Sequence, residues 1–210
     1  MSLAEKLRQG TAELGLQVPA DVQARLLDYL ALIAKWNRVH NLTAVRDSNK
    51  MVSAHLLDCL AIAPHLHTAH SVLDVGSGAG LPGIPLALLW PHAHVVLLDG
   101  NHKKAAFLRQ AVIELGLDNA EVICERVESW NSPARFDVVI SRAFSDLAEF
   151  VHLAGRLCSA TGRVVAMKGV YPNEELAQLP GNFKLERATP LKVPGLSAER
   201  HLVLLSPASA

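Results

Sequence analysis

At Ser71 the apolar pattern changes period, and the segment that begins there constrains the fold more than any other feature of the chain. A short apolar run, Val72-Leu73-Asp74-Val75, leads directly into Gly76-Ser77-Gly78-Ala79-Gly80 and then into a helical pattern through Leu86 to Trp90. A strand that closes on a glycine-rich turn and reopens as a helix is the first half of a βαβ unit. The alternation continues downstream. Strands are expected at His94 to Asp99, Glu121 to Cys124, Phe136 to Ser141 and Arg163 to Lys168. Helices are expected at Lys103 to Leu115, where Gly116 stops the pattern, and around Asp146 to Leu157. Strands that are apolar throughout belong to a parallel sheet covered by helices on both faces. Phe183 to Thr189 and His201 to Leu205, joined by a Pro/Gly loop, read as an antiparallel hairpin on the sheet edge. Residues 1–70 read as helices instead: Asp21 can cap one that carries Leu26, Leu27, Leu30, Ile33 and Ala34, and another is expected from Ser48 to near Pro64. The expectation is an α/β fold: a helical N-terminal extension, 1–70, on one compact unit, 71–210.

Composition narrows the function classes. The 20 basic and 20 acidic side chains leave no net charge, so bulk electrostatics does not announce a nucleic-acid partner. An RNA substrate would have to be gripped by a local patch, for which Lys35, Arg38 and Arg46 are candidates, with an ordinary solvated face as the competing reading. Apolar runs such as Val95-Val96-Leu97-Leu98 are strand-length and far short of a membrane span. The mixed-charge amphipathic start, Met1 to Lys6, lacks the features of a secretory signal, which leads to an expectation of a cytoplasmic protein. Cys59, Cys124 and Cys158 sit amid apolar neighbours and read as reduced thiols. His65, His67 and His70 lie in a connector without the Cys/His pairing of zinc sites, and no metal is expected.

The glycine turn carries the chemistry. Ligands of such sheets bind beyond the carboxyl ends of the strands. Glycine there lets backbone approach a ligand closely, and the helix start offers amide donors to an anion. The spacing of Gly76, Gly78 and Gly80 departs from the dinucleotide fingerprint, which sets its third glycine one residue later. Asp74, two residues before the first glycine, would repel a pyrophosphate but suits the ammonium of S-adenosylmethionine. Asp99, closing the second strand, stands at about the 20-residue offset of a ribose-binding acid, and its two oxygens suit two hydroxyls.

Several chemistries lack their residues. Tyr29 and Tyr171 are followed four positions on by Ile33 and Glu175, so the Tyr/Lys pair of short-chain dehydrogenases is missing. Ser141-Arg142-Ala143-Phe144 replaces the Asp/Asn-Pro-Pro-aromatic run of adenine-amino methyltransferases. No cysteine nucleophile stands at that strand end for pyrimidine C5 methylation, and no Ser/His/Asp triad is evident.

Longer motifs give a specific resemblance. Trp36-Asn37, Asn41-Leu42-Thr43 and His55-Leu56-Leu57-Asp58 precede the turn. Gly83-Ile84-Pro85-Leu86, Leu97-Leu98-Asp99, Lys103-Lys104, Phe107-Leu108 and Glu114-Leu115-Gly116-Leu117 follow it. After these come Arg126-Val127-Glu128, Ser141-Arg142-Ala143-Phe144, Lys168-Gly169 and Glu199-Arg200-His201-Leu202. Together they resemble the ribosomal RNA small-subunit methyltransferase G family, also called glucose-inhibited division protein B, along nearly the whole chain. The resemblance implies a class I S-adenosylmethionine-dependent methyltransferase fold that methylates N7 of a guanine in the 530 loop of 16S rRNA, within the 30S subunit. By position, Gly76, Leu81, Val127, Glu128 and Arg142 would contact the cofactor, and Arg126, Lys168 and Arg200 the substrate. Arg142 and Lys168 would serve the transfer itself. Gly100 and Lys104 depart from the Ser and Arg usual in the family.

An N7 target explains the missing base. That nitrogen carries a lone pair and no proton, so attack on a sulfonium methyl needs alignment only. A bidentate Arg on O6 and N7 would block the attacking lone pair, so a recognising Arg should touch O6 alone or a phosphate. Two alternatives remain open at this level: a small-molecule methyltransferase on the same fold, or a non-catalytic ribosome- or RNA-binding protein that retains it.

Overall fold

A computed structural model describes residues 1–66, 68–142, 144 and 146–208. Seven strands form one sheet: β1 (Ser71–Val75), β2 (His94–Leu98), β3 (Ala120–Ile123), β4 (Phe136–Ser141), β5 (Cys158–Lys168), β6 (Phe183–Pro190) and β7 (His201–Pro207). Their order is β3-β2-β1-β4-β5-β7-β6. The first five pair in parallel, and β7 runs antiparallel between β5 and β6. The expected mostly parallel sheet with an antiparallel C-terminal hairpin is therefore present. Strand order reverses between β1 and β4, the switch point near which sheets of this kind bind ligands beyond the carboxyl ends of their strands.

Pleating divides the core. Leu73, Val75, Val96, Val139 and Val164 pack on one face beneath Phe150, Leu157 and Phe183. That face is covered by α7 (Leu147–Ala154) and its following 3-10 turn, with α8 (Asn173–Ala177) beside it. On the other face Val72, Leu97, Ile140 and Val165 share a core with Leu7, Leu26, Ile33 and Leu56. Those last four belong to α1 (Leu3–Glu13), α2 (Ala20–His40) and the helical segment after it, so the N-terminal helices join α5 (Gly83–Leu89) and α6 (His102–Glu114) in covering this face.

The helix expected from Ser48 to Pro64 departs from a regular α-helix. It comprises α3 (Ser48–Met51), a π segment over Val52–Leu57 and α4 (Asp58–Leu60), followed by a 3-10 turn at Ala63–His65. Strand β5 begins five residues before its expected start and carries Gly162, where a Cβ would stand 2.7 Å from the Phe136 carbonyl oxygen. No described helix is long and apolar enough to cross a membrane.

Candidate active site

The turn after β1 is shaped by backbone that side chains resist. Gly76, Gly78 and Gly80 have φ of 68°, 62° and 85°, in the left-handed region where a Cβ is strained. At Gly80 a Cβ would also stand 2.5 Å from Ile84 Cδ1. The Gly76 and Ser77 amides donate to the Leu98 carbonyl at the end of β2 (2.8 and 3.0 Å). From α2, the Tyr29 hydroxyl donates to the Ala79 carbonyl, fastening the helical extension to the turn.

Asp74 and Asp99 hold the turn from opposite sides. Strand alternation puts Asp74 on the face beneath the N-terminal helices, where it is fully buried. Its Oδ2 accepts from the Gly83 amide at 2.9 Å and from the Ser77 hydroxyl, while Oδ1 has no hydrogen-bond partner among the described residues. Burial pushes its carboxyl up to about 6; the Ser77 and Gly83 hydrogen bonds and the charge of Arg142 act the other way. Asp99 Oδ2 accepts from the Gly78 amide and Oδ1 from the Asn101 amide, both at 2.8 Å. Asn101 caps α6 by accepting from the Lys103 and Lys104 amides.

Asp99 belongs to a crevice of about 330 Å³. Gly76, Asn101, Arg126, Val127, Glu128 and Phe144 are among its other lining residues. It thus spans the ends of β1, β2 and β3 and reaches the loop after β4. Arg156, which the sequence did not single out, braces the Val127 wall by donating to the Val127 and Trp130 carbonyls (2.7 and 2.8 Å). Gly100 lies so close to Arg126 that a Cβ would stand 3.0 Å from its Cγ, so a serine there would press on that side chain.

The remaining anticipated residues fall in two other places. Arg142, one position beyond β4, turns toward the helical extension: its Nη1 lies 3.4 Å from Asp58 Oδ2 and 3.3 Å from the Ala54 carbonyl. Arg200 Nε donates to Asp58 Oδ1 at 2.9 Å, so one buried carboxylate joins both arginines. Lys168, at the end of β5, pairs with Glu175 at 2.7 Å; the same Glu175 oxygen accepts from the Leu147 amide. Leu81 is buried and its amide donates to the Ser77 carbonyl, so its side chain does not line the crevice. His201 Nδ1 lies 3.0 Å from the Gly169 carbonyl oxygen, and its ring meets Tyr171 edge-on.

The connector before the π segment is ordered by polar side chains. Buried Asn37 pairs with both the amide and the carbonyl of Thr43. The Thr43 hydroxyl accepts from the Val45 amide and lies 2.9 Å from His55 Nε2, while His55 Nδ1 lies 2.9 Å from the Ala54 carbonyl. A neutral imidazole protonated at Nδ1 satisfies all three contacts, and burial lowers its pKa accordingly. Ala143 of the Ser-Arg-Ala-Phe motif and His67 of the histidine connector lie outside the described residues. Among those described, no three His, Cys, Asp or Glu side chains form a group able to hold a metal ion.

Comparison with known proteins supplies the family. A family model described as GidB, rRNA small subunit methyltransferase G, matches residues 22–203. The chain belongs to that family. Among its relatives, the ribosomal RNA small subunit methyltransferase G of Nitrosospira multiformis is 59% identical, the match covering 98% of each chain. The protein of the same name from Laribacter hongkongensis is 56% identical over 98% of this chain and 99% of its own. A solved methyltransferase, the O-methyltransferase TomG from Streptomyces achromogenes in complex with SAM, matches the fold with a TM-score of 0.58 at 21% identity, covering 87% of this chain and 90% of that one. The sheet of this methyltransferase G family member is thus the class I methyltransferase sheet, and its crevice lies at the carboxyl ends of β1 and β2.

The crevice residues fit S-adenosylmethionine chemically. Each Asp99 oxygen commits one acceptor position to an amide and retains another for a ribose hydroxyl. Val127 offers an apolar surface against which an adenine can pack; Asp74 is not among the lining residues, and its orphaned Oδ1 lies buried beneath the glycine turn.

Proposed function

We propose that this protein transfers a methyl group from S-adenosylmethionine to N7 of a guanine in the 530 loop of 16S rRNA, within the 30S subunit. The single observation that carries the cofactor assignment is Asp99, buried at the crevice and fixed by the Gly78 and Asn101 amides. The RNA assignment draws on family membership.

In this reading Asp99 takes the ribose hydroxyls, and Val127 and Glu128 flank the adenine. Gly76, Gly78 and Gly80 let backbone close on the ligand, with Leu81 contributing through its main chain. Asp74 faces the ammonium, and Arg142 meets the cofactor where the target base enters. When bound, the cofactor supplies an electrophilic methyl on a sulfonium centre. The chain's own residues dock an extruded base against that centre in line and exclude water; no side chain has to remove a proton, because N7 has none.

Arg126 lines the crevice, and further cations lie on α2 and α6. Arg25 of α2 donates to the Leu115 and Gly116 carbonyls beyond the end of α6, and Trp36 of α2 meets Phe107 of α6 with ring centroids 5.5 Å apart. The two helices therefore run antiparallel, so the end of α2 that carries Arg38 and the start of α6 that carries Lys103 and Lys104 fall at the same end of the pair. In this reading Arg38, Lys103, Lys104 and Arg126 grip phosphate; Lys35 lies beside Glu114 and Leu115 toward the other end of α6, Arg46 donates to Asn41 Oδ1, and Lys168 and Arg200 reach RNA only by exchanging their partners Glu175 and Asp58. The crevice lining itself carries Asp99, Glu125 and Glu128 against Arg126, so it is acidic on balance and a grip on phosphate has to come mainly from cations outside it.

Primer extension across 16S rRNA after aniline cleavage, in cells with and without the gene, tests the proposal. A strong stop at one guanine of the 530 loop that vanishes with the gene supports it. An unchanged 16S pattern, with labelled methyl appearing on a small metabolite, overturns it.

A further inference from the structure

Asp58 is an acid to which neither its place in the sequence nor the proposed chemistry gives a task. It stands on the helical extension, immediately after the π segment at Val52–Leu57. A π turn inside a helix re-aims the residues beyond it, and such turns concentrate at functional sites. Here it brings the Ala54 carbonyl and the Asp58 carboxylate to the same guanidinium: Arg142 Nη1 reaches both, at 3.3 and 3.4 Å. The carboxylate is buried and its other oxygen is held by Arg200 Nε at 2.9 Å. Ala54 is itself fixed, because the neighbouring His55 ring is pinned between Thr43 and the Ala54 carbonyl.

A half-buried arginine with two long contacts is steered rather than locked. Among the described residues only its Nη1 is engaged, which leaves N–H groups for a carboxylate or a base oxygen, whereas an unbraced arginine would sample many rotamers. The brace comes from a part of the chain outside the sheet, which gives the extension a role in the site beyond covering the core.

We propose that Asp58 is a positioning residue that, with the Ala54 carbonyl, holds the Arg142 guanidinium in the pose that receives the cofactor, and that Arg200 holds Asp58 in turn. This inference rests on the cofactor reading above, and the two fail in different ways.

The test is S-adenosylmethionine affinity by titration calorimetry for the wild type, Asp58→Asn, Arg142→Gln and the double variant. Asp58→Asn is expected to weaken binding about tenfold, the scale of one lost charge-assisted contact. The double variant is expected to bind no more weakly than Arg142→Gln alone, because Asp58 acts through Arg142. Asp58→Asn leaves two guanidiniums side by side; if it fails to fold, Asp58→Asn/Arg200→Gln removes one of them and carries the same expectation. Unchanged affinity on loss of Asp58, or effects of Asp58→Asn and Arg142→Gln that simply add, overturns the positioning role while leaving the cofactor reading intact. Absence of binding by the wild type overturns both.

Discussion

The buried carboxylate under the glycine turn makes stability depend on pH in a way that one substitution isolates. Asp74 titrates near 6 in the folded protein, raised by burial from an ordinary 3.8, and is fully enclosed, so solvent screening does not discount the shift. At about 1.4 kcal/mol per pKa unit, the shift corresponds to roughly 3 kcal/mol. The raised value fixes the sign. Below about pH 4 the acid is protonated in both states and the favourable contribution is complete; it is lost as pH rises through about 6 and the buried group ionises. Asp74→Asn keeps an acceptor for Ser77 and Gly83 and removes the titration. Urea unfolding of both proteins from pH 8 to pH 5 should therefore show the wild type gaining roughly 1.4 kcal/mol relative to the variant, about half of the full effect. A stability difference that is flat over that range would refute the assignment of a strained carboxylate to this position.

Three further outcomes are expected. Gly83→Ala sets a Cβ 2.3 Å from Leu97 Cδ2 and 2.8 Å from Asp74 Oδ2; thermal or urea unfolding should show a loss of about 1–3 kcal/mol from overpacking, and an unchanged midpoint would contradict the close helix–strand approach. Replacing Arg38, Lys103 and Lys104 together by Gln should weaken binding to the 30S subunit and flatten its salt dependence while leaving cofactor affinity alone; an unaltered salt slope would remove the helix-pair surface from the interface. Single-turnover methyl transfer should be level from about pH 6.5 to 9, since no general base takes part, and a limb rising with a titrating group would show that one does.

The parallel sheet was legible because its strands are apolar on both faces and alternate with helices at clear turn signals. Gly76 to Gly80 were legible because left-handed backbone demands glycine there, and the place of Asp99 because it closes β2 beside that turn. The start of β5 was hidden: Cys158-Ser159-Ala160-Thr161-Gly162 reads as a turn, and only the close backbone of β4 at Phe136 and Asp137 explains a glycine inside a strand. The π segment was hidden as well, since Val52 to Leu57 has an ordinary helical pattern and the distortion arises from tertiary contacts. For the same reason Asp58 and Glu175 went unassigned. Asp58 pairs with Arg142 and Arg200, both distant in sequence, and Glu175 pairs with Lys168 seven residues away across the turn that leaves β5, and no regular helix or strand spacing encodes either pairing. Arg142 was found by resemblance, but the direction of its side chain, toward the extension rather than along the crevice wall, required the fold.

Equilibrium binding of S-adenosylmethionine to the wild type and to Asp99→Ala is the most direct check on the crevice itself. One molecule should bind saturably to the wild type, and Asp99→Ala, which loses the ribose acceptors together with the anchors of Gly78 and Asn101, should weaken that binding at least about a hundredfold while the protein remains folded. A wild type that does not bind, or an Asp99→Ala variant that binds equally well, would contradict the assignment of this crevice to the methyl donor.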